Sequence, residues 1–170
     1  MKPMFAMEKK TPAAKKRIVF AEGEEERELR AVQVVIDEGL AKPILVGRPA
    51  VLAQRIERYG LRIRPELDFD IINPERDERY RSYWETFLGM TRRKGVTEQW
   101  AKLEMRRRHT LIGSMAIHKG DADGMICGTY GSTDLHLHYI DMILGKRPGV
   151  NTYAAMNALV LQDRQVVLVD

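Results

Sequence analysis

The chain of 170 residues has a single cysteine, Cys127. It can close no internal disulfide, so the cross-linked frameworks of small secreted domains are excluded. No apolar run approaches the roughly 20 residues that span a bilayer as a helix. The first 17 residues carry lysines but no continuous apolar stretch, so we expect no secretory leader and a cytoplasmic location. Also missing are a G-x-G-x-x-G fingerprint, a P-loop lysine motif, H-E-x-x-H and C-x-x-C. Their absence removes the motif-level case for a dinucleotide site, a nucleoside triphosphate site, a zinc protease or a dithiol centre. Internal repeats and low-complexity segments are lacking too.

The formal charge is +4 and the isoelectric point about 9.2, but the basicity is local. Lys2, Lys9, Lys10, Lys15, Lys16 and Arg17 stand against one acid, Glu8, which leaves the rest of the chain close to neutral. A basic tail on a neutral body reads as a solvated linker rather than a nucleic-acid arm, and no zinc-finger, RNP or helix-turn-helix pattern accompanies it. With 44% hydrophobic and 31% charged residues, the remainder suits one globular domain with its own core.

What is present is an alternation of strand and helix signals. Ile18-Val19-Phe20 reads as a short strand, and Glu24 to Glu38 as a helix with Leu29, Val32 and Ile36 on one stripe, widened by Val35. Glu24, Glu25 and Glu26 fall in its first turn, where carboxylates oppose the positive end of the helix dipole. A strand from Pro43 to Val46, a helix from Ala50 to Tyr59 and a strand from Phe69 to Ile72 follow. This β-α-β-α-β order predicts a parallel sheet with right-handed crossovers. Tyr80, Tyr83, Trp84, Phe87 and Leu88 then recur at helical spacing as a core stripe. Thr97 is the expected N-cap of a helix turning Trp100 and Leu103 inward. Arg106, Arg107 and Arg108 are successive and cannot share one helix face. A helical pattern through Leu111, Met115 and His118 leads into the next segment.

That segment, Gly120-Asp-Ala-Asp-Gly-Met-Ile-Cys-Gly-Thr-Tyr-Gly131, is the most informative in the chain. Met125-Ile126-Cys127 reads as a buried parallel strand, with a turn from Gly128 to Thr133 opening onto a helix from Asp134 to Leu144. Ligands of open α/β sheets sit at the carboxyl ends of strands, so a site is expected at this turn. Ser132, Thr133 and the N–H groups of the helix start, with Arg147 and the Arg92-Arg93-Lys94 cluster, suit a phosphate-bearing ligand. The plainer alternative is that the glycines only make a tight connection. His136 and His138 stand on nearly opposite sides of one helix, which disfavours a shared metal. Cys127 reads as a packed thiol, and Asp121 and Asp123 as turn-shaping acids. After a basic turn, Gly145 to Gly149, comes an apolar helix or strand from Tyr153 to Leu161. Gln165 to Asp170 then reads as a central buried strand. Such a strand needs cover on both faces, so we expect the chain to be cut from a larger domain and to pair with a second copy.

Four segments, in order, carry a family resemblance: Arg17 to Arg27, Gly39 to Gly47, Lys94-Gly-Val-Thr97 and Gly120 to Gly128. Together they resemble phosphotransacetylases across residues 15–170. Asp123 to Thr129, Arg147-Pro-Gly-Val150 and Ala154-Ala-Met-Asn-Ala158 are more similar to the phosphotransacetylase-like C-terminal domain of bacterial NADP-dependent malic enzymes. The resemblance implies a Rossmann-like α/β/α sandwich related to isocitrate dehydrogenase, truncated, with residues 1–16 as linker, 17–150 as a first subdomain and 151–170 opening a second. It implies that the family's catalytic serine, arginine and aspartate lie outside this chain. Active members carry an arginine where this chain has Thr91 and another where it has His138, and arginine is the side chain suited to bidentate phosphate contact. The function implied is therefore a non-catalytic regulatory and oligomerisation domain that binds acetyl-CoA as an allosteric effector. Its parent would convert malate to pyruvate with NADP and a divalent metal, neither of them held by this segment. Ser132, Thr133, Arg147 and Arg92 are the candidate contacts to the CoA phosphates. The alternative is a phosphate acetyltransferase, which exchanges acetyl-CoA and phosphate for acetyl phosphate and CoA. No nucleic acid or membrane partner is expected.

Overall fold

In the computed structural model residues 15–161 and 164–169 are described, and they fall into two compact units, 15–145 and 146–169. Most of the basic leader therefore lies outside the described residues.

The larger unit is built on a four-stranded parallel sheet. Its strands are β1 (Arg17–Phe20), β2 (Lys42–Val46), β3 (Asp70–Ile72) and β4 (Gly124–Ile126), in the spatial order β3-β2-β1-β4. Alternation along the strands sorts side chains to two faces. Phe20 and Leu45 join Leu29, Val32, Leu52 and Ile56 from helices α1 (Glu26–Asp37) and α2 (Pro49–Arg58) in one core. Val19, Ile44, Val46 and Ile72 join the other, with Tyr83 and Phe87 of α3 (Tyr80–Thr91) and Ala101 and Met105 of α4 (Glu98–Arg107). Leu111 and Met115 of α5 (His109–His118) and Tyr139 and Ile143 of α6 (Thr133–Ile143) complete it. The sheet is thus covered on both faces, as an α/β/α sandwich requires.

The strand order places the switch in chain direction between β1 and β4. From β1 the chain steps outward to β2 and β3, then crosses through three helices to β4 on the other side of β1. Two contacts hold that crossing. At the amino ends, the Arg17 guanidinium bonds Asp123 at 3.1 and 3.3 Å and the Gly120 carbonyl at 2.8 Å, while the Arg17 N–H donates to Asp123 at 2.8 Å. The bond from Arg17 holds the Asp123 carboxyl down at about 2. Behind it, the Tyr83 hydroxyl donates to Asp121 at 2.6 Å. Both acids are thus engaged as structural partners.

Several sequence expectations are corrected. Met125-Ile126-Cys127 is not a buried strand: among the described residues β4 stands at the edge of the sheet, and Ile126 is 50% exposed. Thr97 does cap α4, accepting the Trp100 N–H at 3.3 Å, but Trp100 and Leu103 face outward. Glu104, Ala101 and Met105 point in instead, because the inner stripe of α4 is one position out of phase with the expected one. Glu24 lies outside α1. It takes the Arg48 N–H at 2.8 Å and the Arg48 guanidinium at 2.8 and 2.9 Å, and so fixes the start of α2. Only Glu26, paired with Arg30 at 2.8 Å, keeps a first-turn role among the three acids. In the smaller unit β5 (Met156–Val160) pairs antiparallel with β6 (Gln165–Val169). The final run is therefore one arm of a two-stranded hairpin, with Val169 69% exposed, and not a central buried strand. Within the same unit Lys146 Nζ lies 4.6 Å from the Tyr153 ring centre. Among the described residues no helix is long and apolar enough to cross a membrane.

Gly23 is where the chain needs the absence of a side chain. A Cβ there would lie 2.8 Å from Leu45 Cβ and 3.0 Å from the Val46 carbonyl oxygen, neither of which is a mobile tip. Gly23→Ala is expected to cost about 1–3 kcal/mol through this overpacking. Gly89, inside α3, would place its Cβ in open space. Gly89→Ala is expected to gain roughly 0.5–1 kcal/mol from helix propensity. Urea denaturation midpoints of the two variants should move in opposite directions.

Candidate functional site

A cleft of about 70 Å³ opens at the carboxyl ends of β1 and β4, where the chain changes direction. This is the position at which open α/β sheets receive ligands. Its walls are Glu22 after β1, Arg107 to Thr110 at the start of α5, Tyr130 and Gly131 after β4, and Leu135, His136 and Tyr139 on α6.

The floor is acidic and buried. Glu22, 3% exposed, accepts the Gly128 and Thr129 N–H groups at 3.0 and 3.4 Å. Glu28 of α1, 4% exposed, accepts the Thr129 hydroxyl at 2.6 Å and lies against Glu22. Burial, reinforced by Glu22, pushes the Glu28 carboxyl up to about 8. The Gly128–Gly131 turn is therefore seated on two carboxylates. Gly131 has φ +99°, and a Cβ on it would stand 3.1 Å from His136 Nε2.

His136 closes the next layer. Its Nε2 lies 2.9 Å from the Tyr130 carbonyl, which can only accept, so Nε2 carries the proton. Nδ1 lies 2.6 Å from the Thr110 hydroxyl and 3.9 Å from Glu22 Oε1. With both nitrogens in hydrogen bonds, the ring is a fixed wall. Burial, and then Glu22, push the Cys127 thiol above its ordinary range, which disfavours the thiolate a nucleophile needs.

The opposite wall is cationic. Glu104, buried on α4, accepts Arg108 Nε at 3.0 Å and the Tyr139 hydroxyl. Burial and the bond to Glu104 push the Tyr139 hydroxyl up to about 12, so it stays a donor. Arg108 is thereby aimed, while Arg107 remains exposed. Arg108 is also the residue before α5, and its side chain makes no cap bond there. Burial lowers the His109 pKa, favouring a neutral ring. An uncapped helix start beside two arginines suits a negatively charged ligand group.

The structure divides the residues singled out from sequence. Ser132 caps α6, accepting the Leu135 N–H at 3.4 Å, and Thr133 begins that helix; both are exposed and directly follow the cleft-lining Gly131. Arg92 lies on a short 3-10 turn, Arg92–Lys94, after α3 and does not line the cleft. Arg147 belongs to the smaller unit, where its carbonyl accepts the Val150 N–H at 3.0 Å. Thr91 is buried, its hydroxyl bonded to the Phe87 carbonyl at 2.6 Å. His138 is exposed, edge-on to Tyr139. Among the described residues no three His, Cys, Asp or Glu side chains are placed to hold a metal ion. Sequence reasoning missed Glu22, Glu28, Arg107 and Arg108. The Glu22-Gly23 step was the available signal, because it ends β1 just as Gly128 follows β4.

This geometry accompanies clear similarities to known proteins. The chain is 48% identical over 162 residues to an NAD-dependent malic enzyme of Rhizobium meliloti, covering 95% of this chain and 21% of that protein. It is 44% identical over all 170 residues to an NADP-dependent malic enzyme of Salmonella typhimurium, covering 22% of it. A phosphate acetyltransferase of Nitratidesulfovibrio vulgaris is 30% identical over 167 residues, 98% of this chain and 23% of that one. The chain thus spans about a fifth of the length of these relatives. Among solved structures, EutD phosphotransacetylase from Staphylococcus aureus aligns with 90% of this chain and 45% of its own, with a TM-score of 0.77 and 25% identity. A phosphotransacetylase from Streptococcus pyogenes aligns with 90% of this chain and 46% of its own, with a TM-score of 0.76 and 29% identity. The family model for phosphate acetyl/butaryl transferase matches residues 3–170, and the chain belongs to that family.

Proposed function

We propose that this chain is the phosphotransacetylase-like part of a bacterial malic enzyme and acts there as a regulatory and assembly domain that binds acetyl-CoA. The observation that carries the reading is the gradient of identity, higher to malic enzymes than to acetyltransferases across nearly the same stretch. The cleft supports it chemically. Arg107, the aimed Arg108 and the α5 start offer charge to the CoA phosphates, with Ser132 and Thr133 beyond Gly131 as further contacts. A cleft of about 70 Å³ takes one end of such a ligand and leaves the remainder on the surface.

Turnover is not proposed for this segment. The two positions where the resemblance calls for phosphate-binding arginines hold a threonine committed to the helix interior and a histidine set against Tyr139. Malate oxidation, its NAD or NADP and its divalent metal belong, in this reading, to the rest of the longer protein. A cytoplasmic location follows from the same assignment.

Acetyl-CoA is expected to inhibit malate oxidation by the full-length protein, and Arg108→Ala should raise the half-inhibitory concentration by about tenfold, the loss of one charge-assisted bond. Arg147, in the smaller unit, is a candidate from the family resemblance alone: Arg147→Ala should weaken inhibition, and unchanged acetyl-CoA affinity in that variant removes it as a ligand contact. The full-length protein should form no acetyl phosphate from acetyl-CoA and phosphate. Formation of acetyl phosphate would replace this reading with that of a phosphate acetyltransferase.

A further inference from the structure

Two carboxyl groups meet under one turn, with one buried oxygen left without a donor. Glu22 takes the Gly128 and Thr129 N–H groups, and Glu28 Oε1 takes the Thr129 hydroxyl. Glu28 Oε2 is fully buried and unpartnered, while the Glu22 N–H, like the Thr129 hydroxyl, favours the ionised carboxyl. Its neighbour is the Glu22 carboxylate, which accepts and cannot donate. The arrangement is satisfied when Glu28 Oε2 carries a proton and gives it to Glu22. Without that proton, two buried like charges face each other beneath the turn.

We propose that the Glu22–Glu28 pair is a proton-operated latch on the Gly128–Gly131 turn. With the proton in place, the turn is drawn down onto β1 and α1. When the proton leaves, repulsion loosens the turn, and the cleft wall made by Tyr130 and Gly131 opens. Around the pair stand Cys127 and Tyr130 from the turn, His136 from α6, His109 from α5, and Glu24 and Glu25 from the loop before α1. Arg48 and Arg55 are engaged with Glu24 and Glu25, so neither neutralises the pair directly. The raised Glu28 pKa fixes the window: the latch is closed below about 8 and open above it. The sign for stability agrees, because the folded chain binds this proton more tightly than the unfolded one. The pair's contribution is complete below the ordinary glutamate range and is lost as pH rises to about 8. The latch is independent of which ligand the cleft takes.

The test is a pH titration of the full chain labelled with 15N-glycine and followed by amide resonances. The Gly128 and Gly131 signals are expected to move in one step with a midpoint near 8, while Gly89 and Gly60 do not follow. Glu28→Gln, a permanent donor to Glu22, should abolish the step. Cys127→Ser should leave it in place. Thr129→Val removes a bond that favours the ionised form, so it should raise the midpoint, and this variant serves if Glu28→Gln fails to fold. No step in the folded wild type, a step that survives Glu28→Gln, or one lost in Cys127→Ser would overturn the proposal. So would an unmoved midpoint in Thr129→Val.

Discussion

The bond from the Gly128 and Thr129 N–H groups to Glu22 joins the carboxyl ends of the two strands on either side of the chain reversal. Much of the site's form depends on it. β4 pairs with β1 over only three residues, Ile18 to Phe20, and has no partner on its outer side among the described residues. The turn after such a short edge strand needs an anchor, and a buried carboxylate that accepts consecutive N–H groups supplies one. It also explains the glycines. A turn folded back onto the sheet needs positive φ at Gly128 and Gly131, and the space above Gly131 is taken by His136. Through Thr110, His136 carries the same network to the start of α5, and Glu104 and Tyr139 complete it by aiming Arg108.

The parallel sheet was legible in the sequence because its strands are short apolar runs broken by glycine and its first helices are amphipathic. Leu29 and Val32 went to the core as their spacing requires. A cleft does lie after β4, beside the turn where the same reading expected a site. What periodicity does not encode is neighbour order. Nothing in Met125-Ile126-Cys127 says that the strand will be an edge, and nothing in Gln165 to Val169 distinguishes a central strand from a hairpin arm. Glu22, Glu28 and Glu104 were illegible for a different reason. Acidic residues near helix starts are ordinarily solvated, and only tertiary contact shows these three to be buried beside Thr129, Tyr139 and Arg108.

The chemistry of the cleft suits holding an anion more than transforming one. Of its two histidines, His136 is hydrogen-bonded at both nitrogens, and His109 is held toward the neutral form by burial, its Nδ1 unpartnered. The Cys127 thiol is pushed toward the protonated form, and Arg108 is aimed by a buried glutamate. The proposed function asks this cleft to hold a phosphate-bearing group without turning it over. In the proposed coupling to another domain, a ligand that favours one arrangement of the turn would shift the assembly toward it.

The most direct measurement is a crystal structure of the full-length protein with acetyl-CoA. The account predicts phosphate density against Arg107, Arg108 and the start of α5, beside the Gly128–Gly131 turn. Acetyl-CoA bound elsewhere, with this cleft unchanged and empty, would contradict it.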